Sequence, residues 1–256
     1  MSASTPTVLR SQLVLEQKRF WRNPASAVFT FAFPIFFLVI FASLYGGRVK
    51  SLGNVEYTQY ITPVLVAFGL ISACFVNIAI NIPFRRDAGL LKRVRGTPLP
   101  PALFVAAVVV SVIIVAAVLV AILLGFGVVF YDVIIYKARM PAFALTLLVA
   151  AGSFCAMGLG FSTVVPNADA APAVVNAVFF PLVFISGTFF PIPSSSVLTK
   201  IARMFPIKHL NNAVYACFDP LARGSAFRWG DLAFILAWGA FGAAVAVRRF
   251  RWEPAI

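Results

Sequence analysis

Acidic residues are scarce in this chain: eight Asp and Glu against 21 Lys and Arg, with one histidine and three cysteines in 256 residues. That scarcity excludes much chemistry. The acids (Glu16, Glu56, Asp87, Asp132, Asp169, Asp219, Asp231 and Glu253) fall mostly at loop or span-end positions. No carboxylate pair, Cys-His cluster, glycine-rich phosphate loop or Gly-x-Ser-x-Gly elbow occurs, which argues against a metal enzyme or an ATPase. No catalytic or metal-ligating residue is assigned. Cys74, Cys155 and Cys217 have neither paired nor metal-ligand spacing and read as packing residues. His209 reads as a helix-surface residue hydrogen-bonded near Asn212. A proton-coupled carrier needs ionisable groups at membrane depth. None is securely placed there, so the energy for any transport is expected from another subunit.

Charge of either sign is also sparse, at 11% of residues against 61% hydrophobic. So little polar surface cannot cover a soluble globule of this length, and a bilayer is the solvent that fits. A net charge of +13 raises nucleic acid as a partner, but the basic residues lie between apolar runs rather than on one groove-like surface, so no nucleic acid is expected. Alternating ten-residue segments, the mark of a membrane β-barrel, are absent. Six apolar runs stand out instead: Ala25–Tyr45, Thr58–Ile82, Ala102–Tyr131, Pro141–Val165, Pro172–Pro191 and Trp229–Val247. Each is near the roughly 20 residues a helix needs to cross about 30 Å, and the third is long enough to tilt or project. The first is too long for a cleavable signal and reads as a retained span.

Between the second and third runs lies a charged island, Phe84 to Pro101, with Arg85, Arg86, Asp87, Lys92, Arg93 and Arg95. Each such charge at a bilayer centre costs roughly 2.5–3.5 kcal/mol, so the six would cost on the order of 15–20 kcal/mol in lipid. The island is therefore expected to face water, and its sign places it in the cytoplasm. Counting Lys and Arg on alternate sides gives twelve with the island and nine opposite. Both termini are predicted to be cytoplasmic. Before the first span, residues 7–22 read as an interfacial helix, with Leu9, Leu13 and Phe20 on one face and Arg10, Gln12, Glu16, Lys18 and Arg19 on the polar faces. Between spans five and six, residues 193–218 carry a serine helix-start at Ser194 to Ser196 and a break at Pro206. They read either as two short helices at the outer leaflet or as a plain external loop.

These residues resemble a known family, the membrane permeases of type-2 ABC transporters. Three motifs carry the resemblance. The island matches the form acid–x–Gly…Leu…Thr–Pro–Leu in Asp87, Gly89, Leu90, Leu91, Thr97, Pro98 and Leu99. Pro181 to Pro193 resembles the outer end of the fifth span, with Ser186, Gly187, Phe190 and Pro191, and Ile201 to Val214 resembles the outer helix pair, with Pro206 and His209. The family often has an acid before the loop, where this chain has Arg85 and Arg86. The resemblance covers essentially the whole chain and implies a single permease domain over 1–256. It also implies a dimer with a second permease copy or paralogue and two cytoplasmic nucleotide-binding subunits, which bind ATP and Mg and hydrolyse the ATP.

The expected fold is an all-α integral membrane protein of six transmembrane helices, with the N-terminal interfacial helix, a coupling loop over 83–101 and short outer re-entrant helices over 193–218. The expected function is the permease subunit of an exporter for a hydrophobic drug or lipid in the cytoplasmic membrane. A polytopic enzyme acting on lipids and a secondary carrier without an ATPase partner are the alternatives. Within the island, Leu90, Leu91 and Val94 form an apolar face between basic rims, with turns at Gly89 and Gly96. Docking into the ATPase subunit through Asp87, Gly89, Leu90, Leu91, Arg95, Gly96, Thr97, Pro98 and Leu99 is one reading, and a mere positive anchor on lipid head groups is the other. Among 27 phenylalanines, most are lipid-facing or packing residues. Phe33, Phe180 and Phe184, with the in-span amides Asn77 and Asn176, are the candidate substrate path. In the fourth span, Gly152, Ala156 and Gly160 recur every four residues as a close-packing face, within one subunit or across the dimer.

Overall fold

A computed structural model describes residues 5–49, 53–96, 99–190, 192, 197–222 and 224–250. Thr97, Pro98, Pro191 and the serine helix-start at 194–196 lie outside the described residues.

Eleven α-helices are described: α1 Thr5–Trp21, α2 Pro24–Leu44, α3 Tyr57–Ile71, α4 Asn77–Asp87, α5 Leu90–Arg95, α6 Pro101–Tyr131, α7 Met140–Ser162, α8 Ala171–Ile185, α9 Val197–Ala202, α10 Pro206–Phe218 and α11 Trp229–Arg249. A two-stranded antiparallel ribbon, β1 Arg48–Val49 with β2 Val55–Glu56, pairs Arg48 with Glu56 and Val49 with Val55. Proline at the first turns of α6, α7, α8 and α10 marks their starts, where its missing N–H costs nothing.

Five stretches are long and apolar enough to cross a membrane: Ala27–Leu44, Tyr57–Asp87, Pro101–Tyr131, Lys137–Ser162 and Trp229–Arg249. The chain is an all-α integral membrane protein. The fifth expected span, Pro172–Pro191, differs. α8 has 15 residues, about 22 Å at 1.5 Å per residue, short of a full crossing. Beyond Ile185 the chain leaves the helix: Ser186 turns its hydroxyl onto the Leu182 carbonyl at 2.6 Å, and Gly187 takes the left-handed φ of +75°. Ser186, Thr188 and Phe189 continue inward, all but fully buried. Apolar composition alone did not reveal this exit from the helix.

Lipid offers apolar side chains as good a home as the protein does, so helices meet here through close backbone approach. α7 and α11 cross on glycine. A Cβ at Gly160 would stand 2.5 Å from the Gly242 carbonyl oxygen, one at Gly242 would stand 2.6 Å from Met157 Cα, and one at Gly239 would stand 2.6 Å from Ser153 Oγ. Of the expected face of Gly152, Ala156 and Gly160, Gly160 meets α11 within this chain, whereas Gly152 is exposed with open space beside it. Gly158, on another side of α7, meets Phe75 O at 2.9 Å from its Cβ position. There the helix joining α3 to α4 widens into a π turn, Ser72–Val76.

The connections gather at two ends. At one end hydrogen bonds join α1, the α4–α5 island and the α7–α8 turn, and a cavity shared with Thr163 places the close of α11 beside them. At the other lie the ribbon, the 132–139 segment and α9–α10. Gln59 ties that second end together: its amide donates to Ile134 O (3.0 Å) and Phe218 O (2.8 Å), and its oxygen accepts from Ile134 N (2.8 Å). Arg139 adds donations to Asp219 O and Ala222 O.

Candidate functional site

The island is less exposed than its charge suggests. Arg85 and Arg86 belong to the last turn of α4, which runs to Asp87, so the loop begins at Ala88 rather than at residue 83. Both arginines are buried, which corrects the expectation that the whole island lies in water. Protein partners, not solvent, offset their desolvation. Arg85 grips Glu16 of α1 with two near-parallel hydrogen bonds of 2.8 and 2.6 Å and lies 5.8 Å from the Phe104 ring centroid. Arg86 donates to Val165 O at 3.2 Å and Pro166 O at 2.7 Å, and its Nε meets Asp87 Oδ1 at 3.1 Å. The other Asp87 oxygen accepts from Ala168 N at 2.6 Å. Arg86 and Asp87 therefore clasp the end of α4 to the turn that starts α8.

Past Gly89, which holds a φ of +68°, α5 turns its Leu91 fully inward, with Leu90 half-buried. Leu91, expected as a knob for a partner, packs into this chain's own core. Val94 and Leu99 pack partly against the same core. What α5 presents outward is cationic: Lys92, Arg93 and Arg95 are exposed, as are Gly96 and the neighbouring Phe84 ring.

Glu16 also departs from its expected polar face. α1 turns Leu9, Gln12, Leu13, Glu16, Gln17 and Phe20 toward the bundle, and the Gln17 amide donates to Ser111 O (2.9 Å) and Oγ (3.0 Å) on α6. Between α1, α4 and α6 lies a polar cavity of about 100 Å³ lined by Glu16, Asn77, Asn81, Arg85 and Ser111 among others. Asn81 Nδ2 donates to Asn77 O and Oδ1, both at 3.0 Å. The sequence reading missed Glu16, Asn81 and Ser111. Asn77, Asn81 and Arg85 recur every four residues, one helix face, and that spacing was the available signal.

Of the five path candidates, three meet in one aromatic cluster. Phe33 lies 6.4 Å from Phe68, Phe68 lies 5.7 Å from Phe179, and Phe179 lies 5.5 Å from Phe180. Phe184 joins through Phe189 at 5.1 Å, which in turn contacts Phe37 and Phe41. Phe33 and Phe184 are both exposed at the edge of this cluster. Asn77 belongs instead to the polar cavity, and Asn176 is half-buried on α8.

At the opposite end, His209 does not sit near Asn212 as a surface group. Its Nδ1 is 2.6 Å from Asp231 Oδ1, its Nε2 is 2.9 Å from Arg203 O, and its ring stacks on Phe234 at 4.1 Å. Arg228 Nε donates to the second Asp231 oxygen at 3.0 Å. Nearby, burial and then the Arg203 charge hold the Lys208 ammonium below the usual lysine range.

An all-α membrane protein with a charged hub at one end and an aromatic cluster within is the frame of a transport permease. Residues 9–218 match the ABC-2 type transporter family, and the chain belongs to it. The transport permease YvfS of Bacillus subtilis is 21% identical over 232 residues, covering 90% of this chain and 92% of that protein. The inner membrane transport permease YadH of Escherichia coli K12 is 25% identical over 197 residues, 77% of this chain and 71% of that one.

Proposed function

We propose that this membrane transport permease is the membrane-spanning subunit of an ATP-driven ABC exporter that moves a hydrophobic or amphipathic compound, a drug or lipid, out of the cell. ATP and Mg are bound, and ATP hydrolysed, by a separate cytoplasmic nucleotide-binding subunit, and a second permease copy or paralogue completes the pore. The island end faces the cytoplasm with both termini, α8 with its non-helical extension acts as the fifth of six crossings, and α9 and α10 lie at the outer leaflet.

One observation carries this reading: three connections of the island end are locked together by charge. Glu16–Arg85 ties α1 to α4, and Arg86 and Asp87 tie α4 to the base of α8. A force applied to the exposed Lys92, Arg93 and Arg95 is thereby passed to α1, α4 and α8 together. Asp87, Gly89, Leu90, Leu91, Gly96 and Leu99 shape that element, and Thr97 and Pro98 continue its sequence. Phe33, Phe180 and Phe184 supply apolar walls that suit such a substrate. The test is co-purification of the nucleotide-binding subunit with a permease carrying Arg93→Gln and Arg95→Gln, which keeps the excess of basic residues on the island side, followed by substrate-stimulated ATP hydrolysis in lipid. Loss of the partner with normal membrane insertion is expected. Full retention and full stimulation would overturn the coupling role.

A further inference from the structure

A groove of about 400 Å³ opens on the flank of the bundle between α8 and α11, floored by α7. Its walls are almost wholly apolar. On α11 the lining residues Trp238, Phe241, Gly242, Val245 and Arg249 share one face, at spacings of three or four residues. From Trp238 to Arg249 the groove follows the helix for about 16 Å at 1.5 Å per residue, about half of the roughly 30 Å hydrocarbon core. The groove is therefore one leaflet deep, measured from the island end. At that end its character changes. Arg249 lines the groove and also a second, polar cavity of about 360 Å³ with Thr163 and Arg248. Both arginines are exposed and have no hydrogen-bond or ion-pair partner among the described residues.

We propose that this groove is a binding site for an anionic phospholipid of the leaflet at the island end, with an acyl chain along α11 toward Trp238 and the phosphate held by Arg248 and Arg249. Depth and charge both select this occupant. An apolar channel one leaflet deep fits an acyl chain, and two guanidiniums at its mouth fit a phosphate through paired N–H donors. A second copy of the chain fits poorly. A two-fold interface sets the same surface against itself, so with the axis normal to the membrane Arg249 would face Arg249 at equal depth, without a counter-charge. The groove shares the Phe179 ring with the Phe33–Phe180 cluster, but its charged mouth lies at the far end of α11, and the site holds whether or not that cluster carries substrate.

Trp238 reports on the site directly. A full-length permease retaining Trp238 alone, with Trp21, Trp229 and Trp252 changed to Phe, is placed in vesicles containing phospholipids brominated toward the acyl end. Phosphatidylglycerol is expected to quench Trp238 at about a tenfold lower mole fraction than phosphatidylcholine of the same chains, the scale of one charge-assisted hydrogen bond. Arg248→Gln with Arg249→Gln, two exposed positions, should erase the headgroup preference while leaving residual quenching. Val245→Phe should reduce quenching by both lipids. Equal quenching by both lipids in the parent, or a preference that survives loss of the arginines, would refute a phosphate site. No quenching by either lipid in the parent would show that a second subunit covers the groove, which also refutes the proposal.

Discussion

Replacing Glu16 with Gln is expected to be among the most damaging single changes to this permease outside its packed core. The pair it breaks is buried, with side-chain exposures of 9% for Arg85 and 12% for Glu16, and has two hydrogen bonds of 2.6 and 2.8 Å. Removing one partner of a buried pair costs about 3–5 kcal/mol, because the remaining ion keeps its desolvation penalty without its compensation. Arg85 has little else to turn to: its Nε already lacks an acceptor, and the Phe104 ring contributes at most about 2 kcal/mol as a cation–π partner. A loss of this size lowers the melting temperature by about 10 °C in a chain of this length. Removing both charges is expected to hurt less, since a buried pair replaced by apolar residues of similar volume is often neutral. Glu16→Leu with Arg85→Met should therefore recover most of the stability lost by Glu16→Leu alone. The assay is a double-mutant cycle on detergent-purified protein, followed by thermal size-exclusion profiles. If the single variants melt within a degree or two of the parent, or if their effects simply add, the buried-pair argument fails.

Gly160→Leu should destabilise the protein by about 3 kcal/mol or more and Ala150→Leu by about 1–3 kcal/mol, both filling closed space, whereas Gly152→Leu should stay within about 0.5 kcal/mol; thermal melts rank the three. Lys208 has a depressed native pKa, so the unfolded chain binds more protons between that value and the ordinary 10.5, and stability rises with pH through this window. Lys208→Met should accordingly raise the melting temperature at pH 7, with the gain shrinking as pH rises toward 10.5 and gone above it; a lower melting temperature at pH 7 contradicts the sign. For orientation, cysteines placed at Ile134 and at Arg93 in an otherwise native chain, whose three thiols are all buried, should label from outside at 134 and not at 93. External labelling at 93 alone would reverse the proposed topology.

Much of this architecture was legible because lipid imposes a coarse rule on sequence. A long apolar run must become a helix to satisfy its backbone, and five of the expected spans appear with ends within about five residues. Pro206 marked the break between α9 and α10, since proline starts a helix readily and interrupts one at cost. What escaped reading were the places where a tertiary partner replaces solvent or lipid. Arg85 and Arg86 looked like water-facing charges because sequence shows their cost but not Glu16, 69 residues away, or the carbonyls of Val165 and Pro166. Leu91 looked like a partner's knob because periodicity gives an apolar face without saying which body covers it. Gly152 and Gly160 looked equivalent, and only the position of α11 separates them.

The π turn at Ser72–Val76 links these misreadings physically. A π turn carries one residue more than the α-helical path, so it rotates everything beyond it by about 100° relative to an uninterrupted helix. Above it α3 is buried on nearly all sides, as apolar Ile61, Leu65 and Phe68 require. Below it the chain must point Asn77, Asn81 and Arg85 at the cavity shared with α1 and α6, and Arg86 at the α7–α8 turn. Without the added rotation, a helix that seats Phe68 in the core would carry Arg85 away from Glu16. The extra residue is accommodated because the facing position on α7 is Gly158, whose missing side chain admits the Phe75 and Cys74 carbonyls at 2.9 and 3.3 Å from its Cβ position. The buried ion pair, the clasp at Asp87 and the glycine on α7 are thus one solution to one geometric demand: an apolar upper half and a charged lower half must share a continuous helix yet face different neighbours.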